Sequence, residues 1–272
     1  MRIAFIGAGN MTTSLVGGLV RRGTPAGTLT VSDPVPAQVE RLAREFGVHG
    51  VADNSEAVRE ADLVVLAVKP QQMAEVARGI ALALAERRRV VVSIAAGIRL
   101  ADLERWLGTG TAIVRTMPNR PALIGAGVTA LYAGSGVTAP DRERVEALMS
   151  AAGATVWLDQ ESQMDVVTAI SGSGPAYFFL LLEALESAGI ASGLPSSTAR
   201  LLAVETARGA GLMAAESGEA PAVLREQVTS KGGTTAAALD VLEAAAVRDT
   251  FRRAVAAATL RSAQLADEFG GA

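Results

Sequence analysis

Short apolar segments alternate with segments of helical spacing along the first 160 residues. Apolar runs bounded by glycine or polar residues predict strands at 2–6, 28–32, 62–68, 90–94, 112–116, 127–132 and 155–158. Apolar residues three or four apart predict helices between them at 10–22, 37–46, 73–85, 100–107 and 140–151. The run 62–68 is apolar at nearly every position, which is typical of a strand covered on both faces. The alternation predicts an α/β domain built on a doubly wound parallel sheet.

The pattern changes near residue 160, after which no convincing strand follows. Residues 161–269 indicate helices separated by turns that contain glycine and proline. The segment 175–190 is apolar nearly all round, and a helix of that kind has to be buried on every side. We therefore expect a second copy of the chain to cover it. The predicted domains are residues 1–160 and an all-α domain of residues 161–272.

A glycine-rich turn, Gly7-Ala8-Gly9-Asn10-Met11-Thr12, joins the first strand to the first helix. It has the form of the dinucleotide fingerprint of Rossmann-type domains, with Thr12 in place of the third glycine. Gly7 permits the tight turn, and Gly9 lets the backbone and the N–H groups of the helix N-terminus approach a pyrophosphate. The turn predicts a bound nicotinamide dinucleotide, and a purely structural glycine turn is the alternative.

The second predicted strand ends at Ser32-Asp33, about 20 residues after the turn. An acid at this place binds the ribose 2′-hydroxyl of NAD, whereas NADP is usually accommodated by an arginine nearby. Asp33 favours NAD, and no arginine follows it directly. Because Asp33-Pro34 could also be no more than a turn former, the choice between NADPH and NADH stays open.

Composition excludes several kinds of chemistry. The chain has no cysteine and a single histidine, His49, so thiolate zinc sites, cysteine nucleophiles and multi-histidine metal sites are excluded. His49 is expected in a surface turn, and no metal site is predicted. A net charge of −3 and a pI near 5.4 argue against a nucleic-acid partner. No apolar run of membrane-spanning length was found and the apolar N-terminal stretch is too short for a signal peptide, so we expect a cytoplasmic protein without a membrane partner.

Several motifs resemble those of the pyrroline-5-carboxylate reductase family over the whole chain. They are Gly7–Met11, Ala67–Pro70, Ser93–Gly97, Arg115–Asn119, Gly172–Tyr177 and Val228–Thr235, in that order. Any one of them could arise by chance, but their order and spacing together make the match strong. The resemblance implies a Rossmann-type domain followed by a helical dimerisation domain, with homodimers that often assemble further.

The resemblance also implies an activity, the reduction of (S)-1-pyrroline-5-carboxylate to L-proline by NADPH or NADH, the last step of proline biosynthesis. It places cofactor contacts at Ile6, Gly7, Ala8, Gly9, Asn10, Met11, Asp33, Asn54, Val68, Lys69, Pro70, Ala95, Ala96, Gly97 and Gln227. It places substrate contacts at Ser230, Gly233, Thr234 and Thr235. The chain departs from the family at Lys231 and Arg120, where proline and threonine are common, and at Asp33, where NADP-preferring members often carry a small polar or basic residue.

The chemistry needs little from the protein beyond positioning. A protonated cyclic imine is already a good hydride acceptor, so no strong general acid is required. Thr235 is our main catalytic candidate, because its hydroxyl can hydrogen-bond the ring nitrogen, and Ser230 is the second. The backbone N–H groups of Gly233, Thr234 and Thr235 form an anion site for the substrate carboxylate. Alternatively, Thr234 or Thr235 is simply the N-cap of a helix.

Two other functions remain open. One is another imine reductase or a β-hydroxyacid reductase of similar architecture, a class that uses a catalytic lysine within a helix of the second domain. The only lysine of the second domain, Lys231, lies in a glycine loop, which argues against the β-hydroxyacid enzymes. The other is a non-catalytic dinucleotide-sensing protein, against which the intact motifs at Lys69 and Ser230–Thr235 argue.

Overall fold

The computed structural model describes residues 1–271, which pack into two compact units. The first unit is Met1–Ser173 together with the chain from Ala257 onward, and the second is Gly174–Ala256. The predicted domain boundary between residues 160 and 161 stays a prediction, since this packing division is a different property from a folding domain.

An eight-stranded sheet organises the first unit. Its strands are β1 (Ile3–Ile6), β2 (Leu29–Ser32), β3 (His49–Val51), β4 (Leu63–Leu66), β5 (Val90–Ser93), β6 (Ala112–Met117), β7 (Gly127–Ala133) and β8 (Gly153–Trp157). Their order is β3-β2-β1-β4-β5-β6-β7-β8, and every neighbouring pair is parallel except β6 and β7. The strand order reverses direction between β1 and β4, which confirms the doubly wound fold.

Helices follow most of these strands. In the first unit they are α1 (Asn10–Arg21), α2 (Pro36–Phe46), α3 (Asn54–Glu60), α4 (Pro70–Ala85), α5 (Leu100–Leu107), α6 (Ala139–Ser150) and α7 (Gln163–Val167). Short 3-10 turns lie at Ala26–Thr28 and Arg120–Ile124, and α7 runs into a π-helical turn at Thr168–Gly172. Beyond it come α8 (Gly174–Ala191), α9 (Ser196–Glu216), α10 (Pro221–Gln227), α11 (Thr234–Ala244) and α12 (Val247–Gly270).

Side chains of each central strand enter two separate apolar cores, one on each face of the sheet. In β1, Ile3 and Phe5 join one core, whereas Ala4 and Ile6 join the other. In β4, residues 63 and 65 likewise join the first core and residues 64 and 66 the second. Because both faces are covered, the central strands are apolar without alternation, which is the pattern that the sequence showed.

The first unit contains three features that the sequence did not predict. Strand β3 and helix α3 were missed, and His49, expected in a turn, is instead an exposed residue of β3 that pairs with Thr30 of β2. As an edge strand of three residues, β3 has no apolar run to reveal it. Strand β7 pairs antiparallel with β6, although the rule for alternating elements predicts parallel neighbours.

The helical unit leaves much apolar surface uncovered within one chain. On α8, Phe178, Phe179, Leu180 and Leu181 are 66%, 57%, 66% and 48% exposed. One helical stretch, Gln163–Ala191, contains a window of 18 residues with a mean hydropathy of 1.3, of which only 11% is buried, so by length and composition alone it could cross a membrane. This finding differs from the expectation that the chain holds no run of that kind. The apolar surface of α8 therefore needs a partner.

Candidate functional site

A cleft of about 420 Å³ opens at the carboxyl ends of strands β1 to β4. It lies at the point where the strand order reverses, which is where ligands bind in open α/β sheets. Seven residues predicted from the sequence line it together: Ile6, Gly7, Gly9, Asp33, Asn54, Val68 and Lys69. The cleft is also lined by residues that the sequence did not single out for binding: Pro34, Val35, Ala52, Ala67, Gln72, Glu75 and Val76.

The glycine turn is tight on one side and open on the other. Gly7 has φ +106°, and a Cβ at this position would lie 2.7 Å from the carbonyl oxygen of Ala67. Gly9, in contrast, has no atom within 4 Å of the place where its Cβ would stand. Gly9 is the N-cap of α1, so uncapped backbone N–H groups begin the helix at this open side. The turn fits a diphosphate, which needs both the space and the donors.

Thr12 has a role that explains why it can replace the third glycine of the fingerprint. Its side chain is fully buried, and its hydroxyl donates a hydrogen bond of 2.6 Å to the carbonyl oxygen of Gly7. Thr12 thereby ties the first turn of α1 back to the end of β1. This hydrogen bond stabilises the conformation of the turn, and the fingerprint motif alone does not predict it.

Asp33 holds the same turn from the neighbouring strand. One carboxylate oxygen accepts the N–H of Ala8 at 2.8 Å, and the other accepts the N–H of Val35 at 2.9 Å. Beside it, the buried hydroxyl of Ser32 donates to the side-chain oxygen of Asn54 at 2.7 Å. Asp33 is thus both a brace of the glycine turn and a fixed negative charge on the β2 side of the cleft.

Arg41 approaches the turn from α2, and sequence reasoning missed it. Its guanidinium lies 3.0 Å from the hydroxyl oxygen of Thr13 and 3.4 Å from the carbonyl oxygen of Ala8, and it also pairs with Glu45. Its position on α2 gave no signal, because a mid-helix arginine usually points to solvent. The structure therefore places a cation next to the glycine turn, and neighbouring acceptors already engage this cation.

Lys69 supplies the positive charge of the cleft. It is exposed at the N-cap of α4, with Pro70 at the first helical position, and it is the only basic residue among those that line the cleft within residues 1–271. Asp33 and Glu75 are the acidic ones. A lysine at the start of a helix and at the end of a strand suits a contact with ribose or phosphate oxygens.

Ala95, Ala96 and Gly97 do not line this cleft but follow β5, the next strand of the sheet. The N–H of Ala95 reaches the hydroxyl of Ser93 at 3.4 Å, and the hydroxyl of Thr116 donates to the carbonyl oxygen of Ser93 at 3.0 Å. Gly97 has φ +72°, a left-handed conformation that side chains disfavour. The loop is therefore well supported, next to the cleft on the side away from Asp33.

In the second unit, the residues predicted to contact the substrate lie together in one loop and at the start of the helix that follows it. Ser230 begins a turn in which the N–H of Gly233 donates to the carbonyl oxygen of Ser230 at 3.0 Å. A Cβ at Gly233 would lie 2.4 Å from the Ser230 hydroxyl oxygen, so a larger residue here would have to displace that side chain. Gly233 is itself the N-cap of α11, which rules out Thr234 and Thr235 as N-caps and leaves their hydroxyls available for other contacts.

Gln227 lies at the end of α10 in the second unit. It is exposed, and its side-chain amide donates to a carboxylate oxygen of Glu219 at 2.7 Å. Within residues 1–271, no group of three or more histidine, cysteine, aspartate or glutamate residues is arranged to hold a metal ion.

Comparison with known proteins decides the family. A family model for pyrroline-5-carboxylate reductase dimerisation matches residues 161–265, and one for a coenzyme F420-dependent NADP oxidoreductase matches residues 2–97. A pyrroline-5-carboxylate reductase of Pseudomonas aeruginosa is 49% identical over 269 residues, which cover 99% of this chain and 98% of that protein. The chain belongs to the pyrroline-5-carboxylate reductase family. Because its helical part matches the dimerisation domain of that family, the protein is a homo-oligomer, and its substrate is a small molecule.

Solved structures of the family share the fold along the full chain. The pyrroline-5-carboxylate reductase of Coxiella burnetii has a TM-score of 0.94 and 39% identity, covering 97% of this chain and 98% of its own. The pyrroline carboxylate reductase of Plasmodium falciparum, solved with NADP bound, has a TM-score of 0.85 and 29% identity, covering 98% of each chain. As a member of this family, the protein has an N-terminal domain that binds NAD(P).

Proposed function

We propose that the protein reduces (S)-1-pyrroline-5-carboxylate to L-proline with NADPH or NADH as hydride donor. The observation that carries this proposal is the presence, in a chain 49% identical to a pyrroline-5-carboxylate reductase, of both an open dinucleotide turn and a glycine loop that begins a helix with free N–H groups. The N-terminal half of the chain thus has a turn suited to the dinucleotide, and the C-terminal half has a loop suited to the substrate carboxylate.

The first unit would hold the cofactor along the carboxyl ends of its strands. The diphosphate would lie over Gly7–Met11, where the N–H groups of α1 begin. The adenosine ribose would approach Asp33 and Asn54, and the nicotinamide would extend toward Val68, Lys69, Pro70 and the loop Ala95–Gly97. Ile6 would contribute to the floor of the cleft. Gln227, in the second unit, is the remaining proposed cofactor contact.

The loop of the second unit would hold the substrate. The N–H groups of Thr234 and Thr235 begin α11, where a carboxylate is favoured by both hydrogen bonds and the helix dipole. Gly233, whose own N–H donates to the carbonyl oxygen of Ser230, would let the substrate approach the backbone closely. The hydroxyl of Thr235 would hold the ring nitrogen, with Ser230 as the second hydroxyl. Bound NAD(P)H supplies the hydride, and the side chains of this chain fix the protonated ring in reacting geometry, which can supply much of the rate.

The helical unit would assemble as a homodimer, and dimers could assemble further. The dimer contact would be the apolar face of α8, because its exposed phenylalanine and leucine residues pack favourably only against another apolar surface. A second copy, rather than a bilayer, fits a chain whose helical part matches a dimerisation domain. We propose a cytoplasmic protein with neither a membrane nor a nucleic acid as partner, in keeping with its net charge of −3.

A coupled assay tests the activity. Purified protein is mixed with (S)-1-pyrroline-5-carboxylate and either NADH or NADPH, and both cofactor oxidation and L-proline are measured. We expect the amount of cofactor oxidised to equal the amount of L-proline formed. Oxidation with a 3-oxoacid but not with the pyrroline would favour a β-hydroxyacid reductase, and tight NADH binding without turnover on any cyclic imine would favour a dinucleotide sensor.

A further inference from the structure

The last two turns of α12 pack directly on the loop that follows β5. A Cβ built on Gly97 would lie 3.2 Å from Cδ2 of Phe269 and 3.5 Å from Cβ of Leu265. Phe269 also packs against the apolar core that contains Ala95 and Ile98, the residues on either side of this contact. The aromatic ring therefore covers the backbone of the loop at its left-handed residue.

The contact belongs to a continuous stripe along α12. Ser262, Leu265, Ala266 and Phe269 are spaced three or four residues apart, so they lie on one face of the helix. Ser262 is buried and its hydroxyl donates to Asp165 at 2.7 Å, and Ala266 is 2% exposed. This stripe fixes the end of α12 onto the sheet unit.

Polar contacts at the edge of the stripe contribute less. Arg99 pairs with Asp267 at 2.7 Å, but these side chains are 44% and 71% exposed, and exposed ion pairs stabilise weakly. The guanidinium of Arg105 donates to the carbonyl oxygen of Gly270. Packing of Phe269 on Gly97 is thus the contact through which α12 acts most directly on the loop.

The loop lies where the reactive end of a dinucleotide would reach. Asp33, on the β2 side of β1, would face the adenosine ribose, so the cofactor would extend across β1 and β4 toward β5. The residues after β5 are held from one side by Thr116 through Ser93 and from the other by Phe269 through Gly97. Because Gly97 has no side chain that could restrict its own backbone, packing of the Phe269 ring restricts it instead.

We propose that Phe269 is a positioning residue for the nicotinamide end of the cofactor, acting through Gly97 and the loop 94–97. This proposal rests on the proposed function, in that it requires the cleft to bind NAD(P)H. The ring does not touch the cofactor, and it acts by restricting the backbone against which the nicotinamide would lie. A loop that is ordered in advance binds its ligand more tightly, because less entropy is lost on binding.

The test compares two ligands that differ only in the end of interest. Isothermal titration calorimetry measures the Kd of NADH and of ADP-ribose, which lacks the nicotinamide, for the full-length protein and for Phe269→Ala. We expect the Kd of NADH to rise about five- to tenfold and that of ADP-ribose to change less than about twofold. Gln264→Ala, on the exposed side of the same helix, is the matched control and should leave both constants unchanged.

A second variant keeps the proposal testable if Phe269→Ala does not fold. Phe269→Leu retains an apolar side chain and should show a smaller rise in the Kd of NADH, again without a change for ADP-ribose. Equal weakening of both ligands would show a general structural role, and unchanged NADH binding would show no role, so either result overturns the proposal. If the unmodified protein binds neither NADH nor NADPH, the proposed function itself fails.

Discussion

A carboxylate oxygen of Asp33 accepts the backbone N–H of Ala8 at 2.8 Å, so an acid at the end of β2 holds the glycine turn at the end of β1. The second oxygen is held by Val35, and the side chain has little freedom to move away. A phosphate on the ribose 2′-oxygen would therefore meet a fixed negative charge. Arg41, the cation that α2 places beside the turn, is already engaged by Thr13, Gln38 and Glu45.

This arrangement predicts a preference for NADH that one substitution weakens. Asp33→Asn removes the charge and keeps one side-chain oxygen that can accept the N–H of Ala8, while the N–H of Val35 loses its acceptor. We expect the kcat/KM for NADPH, relative to NADH, to rise about tenfold, which corresponds to roughly 1.4 kcal/mol. Steady-state kinetics with both cofactors measures the ratio. Glu40→Gln, which neutralises an exposed acid on α2, is the control, and an equal shift there would point to net charge alone.

Thr12 provides a test of the turn that does not involve charge. Thr12→Val has almost the same shape but cannot donate to the carbonyl oxygen of Gly7, which would lose a buried partner. We expect the free energy of unfolding to fall by about 1–2 kcal/mol and the affinity for NADH to fall as well. Urea denaturation and calorimetry measure the two effects. Thr12→Ser should restore both, and a fully stable Thr12→Val would contradict this role.

The sequence predicted those parts of the fold and site that depend on local periodicity or on backbone requirements. The strands of the sheet centre were found because both of their faces are covered, and Gly7 was found because no other residue fits its φ of +106°. Strand β3 was missed because an edge strand needs no apolar run. Arg41 and Phe269 were missed because their roles come from contacts with residues distant in the sequence, and no local pattern records such contacts.

The hydroxyl of Thr235 is predicted to act in the chemical step rather than in folding. Because Gly233 is the N-cap of α11, Thr235→Ala removes no cap and the helix should remain intact. We expect kcat/KM for the pyrroline to fall about 10- to 100-fold, the value of a hydrogen bond to a charged ring. Thr235→Ser should recover most of the activity. If turnover is unchanged in Thr235→Ala while circular dichroism shows a native fold, another group holds the ring nitrogen.

Asp141 predicts a pH-dependent contribution to stability. Its side chain is 2% exposed, and hydrogen bonds from Arg88 and from Thr138 lower the pKa of this carboxyl below its usual range. A lowered pKa in the folded state stabilises the fold above the unfolded-state pKa of about 4, and this contribution disappears as the pH falls through the folded-state pKa.

The variant Asp141→Asn isolates that contribution. At about pH 7 we expect it to lower the free energy of unfolding by about 1–3 kcal/mol, because Arg88 loses its charged partner. The difference from the unmodified protein should shrink as the pH is lowered from about 5 to about 3. Urea denaturation at each pH measures it. A difference that does not depend on pH would mean that shape rather than charge makes Asp141 important.

The exposed apolar surface of α8 predicts that one charge can separate the subunits. Phe178 is 66% exposed in the single chain, and burying a glutamate in its place against a second copy would leave a charge without water or a partner. We expect Phe178→Glu to be a monomer by light scattering at about micromolar concentration, at which the unmodified protein is a dimer or larger. Leu82→Glu introduces the same charge on α4, where the leucine is 85% exposed, and should leave the assembly intact. If Phe178→Glu remains assembled, the subunits meet on a surface that does not include this part of α8.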